Sequence, residues 1–336
     1  MPPIPGAWLR ALDRHSLSAQ APSTLRDKPL DTFKRAHVDF AEAQRCLETY
    51  IAIQEDQPRR ALIRDVREQY VAEKPGSRAL HWFLSAQGPD RFDLALHPQF
   101  LHCLIFCLVA ERGDQHIWRW LTVQHTPTSA VYLTEMERGH WKGIALRFFV
   151  EDIMYWAPLE HRISGLEEGL KVIEGAMDRE LQRVGTADPV YLPKGVAGRW
   201  LWNHSATTNR DVDLRVYNRF MSLIQVWISD PAEWMLSRAR LELVHPSTPN
   251  ARRVLEFLRL CSNPDHGSAF INHLLSARNS KSASMFVWFV VQTAQQLHRQ
   301  RNTVEAHWAL DFGRTIMPPY FTVSFNNPYK LSLIHI

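Results

Sequence analysis

Glycine is scarce, with 14 residues in a chain of 336. Sandwiches and barrels need many tight turns, and glycine supplies their left-handed conformations most readily. That architecture is disfavoured from the outset. Cysteine is scarcer still. Cys46, Cys103, Cys107 and Cys261 are the four present, and no two form Cys-x-x-Cys. A disulfide framework is excluded, and buried thiols in a reducing compartment are expected. No apolar run approaches the roughly 20 residues that span a bilayer. The longest are Leu101–Ala110, broken by His102, and Met285–Val291, both read as core helix. The N-terminus lacks an apolar signal-peptide core, so the Asn203-His204-Ser205 sequon is discounted. The chain also lacks Gly-x-Gly-x-x-Gly, a Walker loop, Gly-x-Ser-x-Gly, His-Glu-x-x-His and an EF-hand loop. These absences weigh against the commonest nucleotide, hydrolase and metalloenzyme chemistries. No catalytic residue, cofactor or metal is assigned.

What is present is helical periodicity. Pro98 opens a segment, Gln99–Glu111, that is apolar nearly all round and must be enclosed on several sides. Gly113 is placed to end it. Residues 140–156 carry Trp141, Ile144, Ala145, Phe148 and Phe149 at helical spacing, and a more polar helix is expected over 160–184. Beyond a two-proline linker at Asp188–Lys194, helices are expected over 195–206, 211–229, 231–244, 249–262, 266–278, 281–301 and 303–317. Asp211, Pro231, Pro249 and Asp265 stand at their starts. The twelve tryptophans mostly keep core spacing, where they seal gaps between helices. No sustained period-2 alternation occurs. The expected fold is all-α, built of stacked antiparallel helix hairpins in an α-solenoid-like array.

The expected organisation is a poorly ordered arm at 1–35, a first hairpin array at 36–187, a second at 195–318, and a truncated tail at 319–336. The segment Val216-Tyr217-Asn218-Arg219-Phe220-Met221-Ser222-Leu223-Ile224 resembles the first helix of a pentatricopeptide repeat, with its Tyr-Asn pair and apolar stripe. The resemblance covers one helix and does not recur. It implies a degenerate helical-repeat organelle protein that binds RNA. The last six residues, Leu331–Ile336, resemble the translation of a sequencing adapter and are set apart as an artefact. The arm carries six basic and three acidic residues. The basic bias suits a mitochondrial transit peptide and the aspartates do not, so a mitochondrial location is expected, with a cytoplasmic one as the alternative.

Charge is unevenly spread. Lys+Arg number 39 against 35 Asp+Glu, yet Leu236–Ile336 holds 11 basic and 5 acidic residues. This excess points to a polyanionic partner. Its candidate contacts are Arg252, Arg253, Arg259, Arg278, Lys281, Arg299 and Arg301, with His298 and Trp308 placed to stack on bases. Other clusters read more simply. Cys103 and Cys107 share a helix face, but His102 points elsewhere, so they are core thiols rather than zinc ligands. Asn263-Pro264-Asp265-His266-Gly267 reads as a turn, and Asp211 and Asp213 as helix-start chemistry. Three functions stay open. One is a non-enzymatic helical protein binding RNA or a ribonucleoprotein. The second is a protein–protein scaffold of the same fold. The third is an enzyme with a helical-core site near Glu151, Asp152 and His161.

Overall fold

The computed structural model describes residues 28–35, 37–55, 63–85, 97–122, 135–161, 165–185, 191–205, 213–228, 231–263 and 280–318. They form thirteen α-helices and two 3-10 turns, with no strand among the described residues. The chain is all-α. No described helix is long and apolar enough to cross a membrane. The first part of the expected arm (1–27), the expected helix at 266–278 and the tail from 319 onward lie outside the described residues.

Two compact units divide at Asn209/Arg210. The first holds a 3-10 turn (Pro29–Lys34), α1 (Phe40–Glu55), α2 (Ile63–Glu73), α3 (Pro75–Ser85) and α4 (Pro98–Ala110). It continues with α5 (Asp114–Thr122), α6 (Glu135–His161), α7 (Gly165–Gln182) and α8 (Gly195–Ser205). The second holds α9 (Leu214–Leu223), a 3-10 turn (Ile224–Val226), α10 (Pro231–Leu243), α11 (Arg252–Ser262), α12 (Ser280–Arg299) and α13 (Thr303–Ile316). The linker expected to separate two arrays therefore lies inside the first unit. The reason is α8, which packs on α6 and α7. Glu180 of α7 clamps the linker by accepting from Leu192 N at 2.6 Å and pairing with Lys194.

Consecutive helices pair as expected in α3/α4, α6/α7, α10/α11 and α12/α13. The first unit is nevertheless gathered around one helix. A solenoid lets each repeat meet only its neighbours, whereas α4 packs against α1, α2, α3, α5 and α6. Every residue from Phe100 to Ala110 is buried. The arm also contributes: Leu30 is buried, its 3-10 turn packs on α1 and α3, and Cys46 Sγ donates to Pro29 O at 2.9 Å. Order thus begins before residue 35.

Three boundaries differ from expectation for local reasons. The break expected near 157–159 is absent, and α6 runs through Pro158 to His161. Proline there removes only one hydrogen bond, to the Met154 carbonyl. Gly165 opens α7 against that carbonyl, so close that a Cβ would stand 2.8 Å from Met154 O. The helix expected over 211–229 starts at Leu214, because Asp213 is itself the N-cap and accepts from Arg215 N at 2.7 Å. Its last turn tightens to 3-10, with Trp227 N and Ile228 N both donating to Ile224 O. Finally, α4 ends on a left-handed Arg112 (φ 61°) rather than on Gly113. Gly113 N instead closes to Leu108 O at 2.7 Å and Arg112 N to Val109 O at 3.1 Å, the Schellman pattern.

Glu111, at the cap of α4, accepts from Gly76 N at 3.1 Å and from the Ser77 hydroxyl. Burial pushes its carboxyl up to about 7, although these donors oppose the shift. The folded state therefore keeps this proton while the unfolded chain has lost it. The resulting stabilisation is complete below about pH 4.5 and is lost as pH rises through about 7. Relative to Glu111→Gln, the wild type is expected to lose up to about 3 kcal/mol between pH 4.5 and 7 and nothing further above. Urea denaturation of both proteins at pH 5 and pH 8 measures the difference. Parallel pH dependences would show that Glu111 stays ionised.

Candidate functional site

The second unit carries a surface recess among its described residues. It is a groove of about 330 Å³ between α11, the end of α12 and the start of α13. Leu255 and Leu297, both buried, form its base. One wall is the exposed stripe Arg252, Glu256 and Arg259, spaced i, i+4, i+7 on α11. The opposite wall is Gln300, Asn302 and Glu305. Helical spacing places the α11 residues in a row, since residues four and seven apart share a face.

Local structure holds both walls. Asn250 Oδ1 accepts from Arg252 N at 2.9 Å at the start of α11. Gln296 and Gln300 donate to Pro249 O at 3.0 and 3.2 Å, tying the end of α12 to that start. The α12 C-terminus closes with Arg301 in the left-handed region (φ 61°) and Asn302 N donating to Leu297 O at 2.9 Å. Asn302 then caps α13, accepting from Glu305 N and donating to the Glu305 carboxylate.

The arginines expected to meet phosphates are here joined to carboxylates. Arg252 Nε lies 3.1 Å from Glu256 Oε1 and Arg253 Nε 2.8 Å from Glu242 Oε1. Arg259 Nη2 lies 2.8 Å from Glu305 Oε1. Arg259 also sits over the Trp308 ring, 5.8 Å from its centroid, and Trp308 stacks on Phe312 at 5.5 Å. Trp308 is thus engaged within the fold by both. Arg299 and Arg301 are exposed and carry no ion pair among the described residues. Lys281 lies in the first turn of α12, and Arg278 falls outside the described residues. Two apolar side chains adjoin the groove pairs and are left to solvent: Leu260, 49% exposed, and Val304, 79% exposed.

In the core of the first unit, Asp152 meets His102. His102 of α4 stacks on Phe148 of α6, with centroids 3.9 Å apart and planes 8° apart. Its Nε2 is 3.3 Å from Asp152 Oδ1. Burial holds the Asp152 carboxyl well above the carboxylate range and pushes His102 down to about 3. Both directions keep Asp152 protonated and His102 a neutral imidazole. Burial, then the neighbouring Asp152, also raises Glu151, whose Oε2 lies 3.5 Å from Arg147 Nη2. Asp152 is 1% exposed, and a general base must reach its substrate. The pair therefore ties α4 to α6 in the core. The side chain of His161 lies outside the described residues.

Cys103 and Cys107 are buried on α4, and burial raises both thiols well above their usual range. Among the described residues, no group of three or more histidine, cysteine or acidic side chains gathers as a metal site. In the helix with repeat-like sequence, Tyr217 is buried and donates to Leu241 O at 2.8 Å. Exposed Asn218 lies 3.2 Å from His245 Nε2. Comparisons with protein-family models, with curated proteins and with solved structures find no match to this chain.

Proposed function

We propose that this chain is a non-enzymatic α-helical interaction protein that contacts a polypeptide through the α11–α13 edge. One observation carries this reading: each arginine described on α11 is joined to a glutamate, beside exposed Leu260 and Val304. The pairing offsets the local basic excess. The groove offers cations, carboxylates and amides side by side, a chemistry suited to a polypeptide more than to a phosphate chain. A polar rim around apolar side chains is also the usual anatomy of a protein interface.

RNA binding is the second reading. Arg299 and Arg301 favour it, being exposed and clear of carboxylates. A mitochondrial location would accompany it.

One experiment separates the two. Labelled single-stranded RNA is titrated into the chain from about 50 to 200 mM salt, a range over which a protein making several phosphate contacts loses orders of magnitude in affinity. The same protein, immobilised, is tested for retention of proteins from a cell extract. Weak RNA binding is expected, with protein retention lost in Leu260→Asp/Val304→Asp while the helical circular dichroism is kept. Steeply salt-dependent RNA binding that disappears in Arg299→Gln/Arg301→Gln would overturn the polypeptide reading.

A further inference from the structure

Two Thr-Pro dipeptides stand in the sequence, at Thr126 and at Thr248. Thr126 lies outside the described residues. Thr248 lies in the connection from α10 to α11, His245-Pro246-Ser247-Thr248-Pro249-Asn250, where Pro246, Ser247 and Thr248 are exposed and outside any helix. The connection is anchored on both sides. Pro249 O accepts from Gln296 and Gln300, and Asn250 N donates to Glu242 O at 2.8 Å. His245 Nε2 meets Asn218, and its Nδ1 accepts from Thr248 N at 3.0 Å. A main-chain N–H can only donate, so Nδ1 turns its lone pair toward the loop. The Thr248 hydroxyl, also 3.0 Å from Nδ1, donates to it and keeps the lone pairs of its own oxygen. The loop thus displays a hydroxyl at a fixed place on the surface, and Pro249 holds the residue before it to extended backbone.

The surroundings are cationic. Arg252 and Arg253 open α11, just after this loop. The first turn of α11 holds no acidic residue, and Ala251 at its cap offers no side-chain acceptor. No carboxylate there offsets the positive end of the helix dipole. Four residues separate Thr248 from Arg252, so even a fully extended chain keeps their Cα atoms within about 14 Å. Arg252 is 82% exposed and its partner Glu256 52%, so water already competes for their ion pair. Arg253 is held at 2.8 Å by Glu242, which is 15% exposed, and keeps that partner.

We propose that Thr248 is a phosphorylation site for a proline-directed protein kinase, and that Arg252 captures the phosphate. In the transfer, Thr248 Oγ1 attacks the γ-phosphorus of ATP. The Oγ1–P bond forms, the bond to the β-phosphate oxygen breaks, ADP leaves, and the hydroxyl proton passes to the kinase's catalytic carboxylate. The phosphothreonine then precedes a helix N-terminus and stands near an arginine, two settings in which a phosphate gains charge-assisted hydrogen bonds. Arg252 also lines the groove, so its transfer from Glu256 to the phosphate changes the charge that the groove presents. The modification itself does not depend on the polypeptide reading.

The full chain is incubated with ATP and a proline-directed kinase, under conditions in which the kinase modifies an unstructured Thr-Pro peptide, and phosphopeptides are mapped by mass spectrometry. Phosphate on Thr248 is expected. Pro249→Ala, which keeps the carbonyl held by Gln296 and Gln300, should slow the transfer roughly tenfold or more, because the fixed Thr-Pro shape is lost. Ser247→Ala should leave the rate unchanged. Circular dichroism confirms that each variant is folded. Capture is read by phosphorus NMR of the phosphorylated chain. The second ionisation of an unconfined phosphate falls at about pH 6. A nearby cation favours the more charged form, so capture should move this titration about 0.5 lower in pH. Arg252→Gln should return it most of the way. Absence of phosphate on Thr248 overturns the proposal. A phosphate there whose titration is indifferent to Arg252→Gln overturns the capture.

Discussion

Gly76→Ala is expected to lower the thermal midpoint of the first unit by about 6–12 °C. Gly76 lies in the first turn of α3, against the backbone of α4. A Cβ there would stand 2.6 Å from Leu108 N and 2.9 Å from Cys107 C. Both are main-chain atoms inside a helix, so no side-chain rotation relieves the contact. Nor can α4 retreat, because it packs against five other helices. Separating α3 from α4 would also stretch the hydrogen bond from Gly76 N to Glu111. Overpacking of this kind costs about 3 kcal/mol, and each kcal/mol moves the midpoint of a unit of this size by about 2–4 °C. Gly185→Ala is the control. Nothing lies within 4 Å of a Cβ there, and only its left-handed backbone (φ 79°) opposes the change. A melt of Gly76→Ala that coincides with wild type would mean that α3 and α4 do not approach so closely.

Arg67→Met is expected to cost about 3–5 kcal/mol in urea denaturation. Arg67 of α2 is buried, donates from Nε to Ala110 O and from Nη2 to Val109 O, both at 3.0 Å, and lies 5.5 Å above Trp156. It thus caps the final carbonyls of α4, where the helix dipole also favours a cation. Methionine keeps an apolar stem and removes the fork. Two charge-assisted hydrogen bonds are lost, and the Ala110 carbonyl loses the Arg67 donor while Val109 O keeps Arg112 N, which sets the magnitude. Arg67→Lys should fall between, since an ammonium keeps the charge and cannot reproduce the planar fork. Equal stability of Arg67→Met and wild type would show that water already serves these carbonyls.

These two effects meet at one place. Arg67, Gly76, Ser77 and Glu111 all close on the end of α4. Periodicity marked that helix as enclosed, because its residues are apolar on every side. It did not reveal the cap. Arg67 and Glu111 look like ordinary surface charges in sequence, and their partners lie 34 to 43 positions away. His102 shows the same limit. Sequence spacing shows only that it faces away from two cysteines, while its acid partner is 50 positions distant.

By itself the sequence determined the all-α class, the burial of α4 and the core role of most tryptophans. Each follows from local steric and hydrophobic rules: helical spacing of apolar residues, few glycines, no alternation. The uneven charge was legible too, as were the candidate arginines. Tertiary structure alone decided what those charges meet. Arg259 and Glu305 are 46 positions apart, and Arg253 and Glu242 belong to different helices. The period of a helix says which face is exposed. Which neighbour shares that face depends on how helices pack, and that choice turned an apparent phosphate edge into a set of arginine–glutamate pairs.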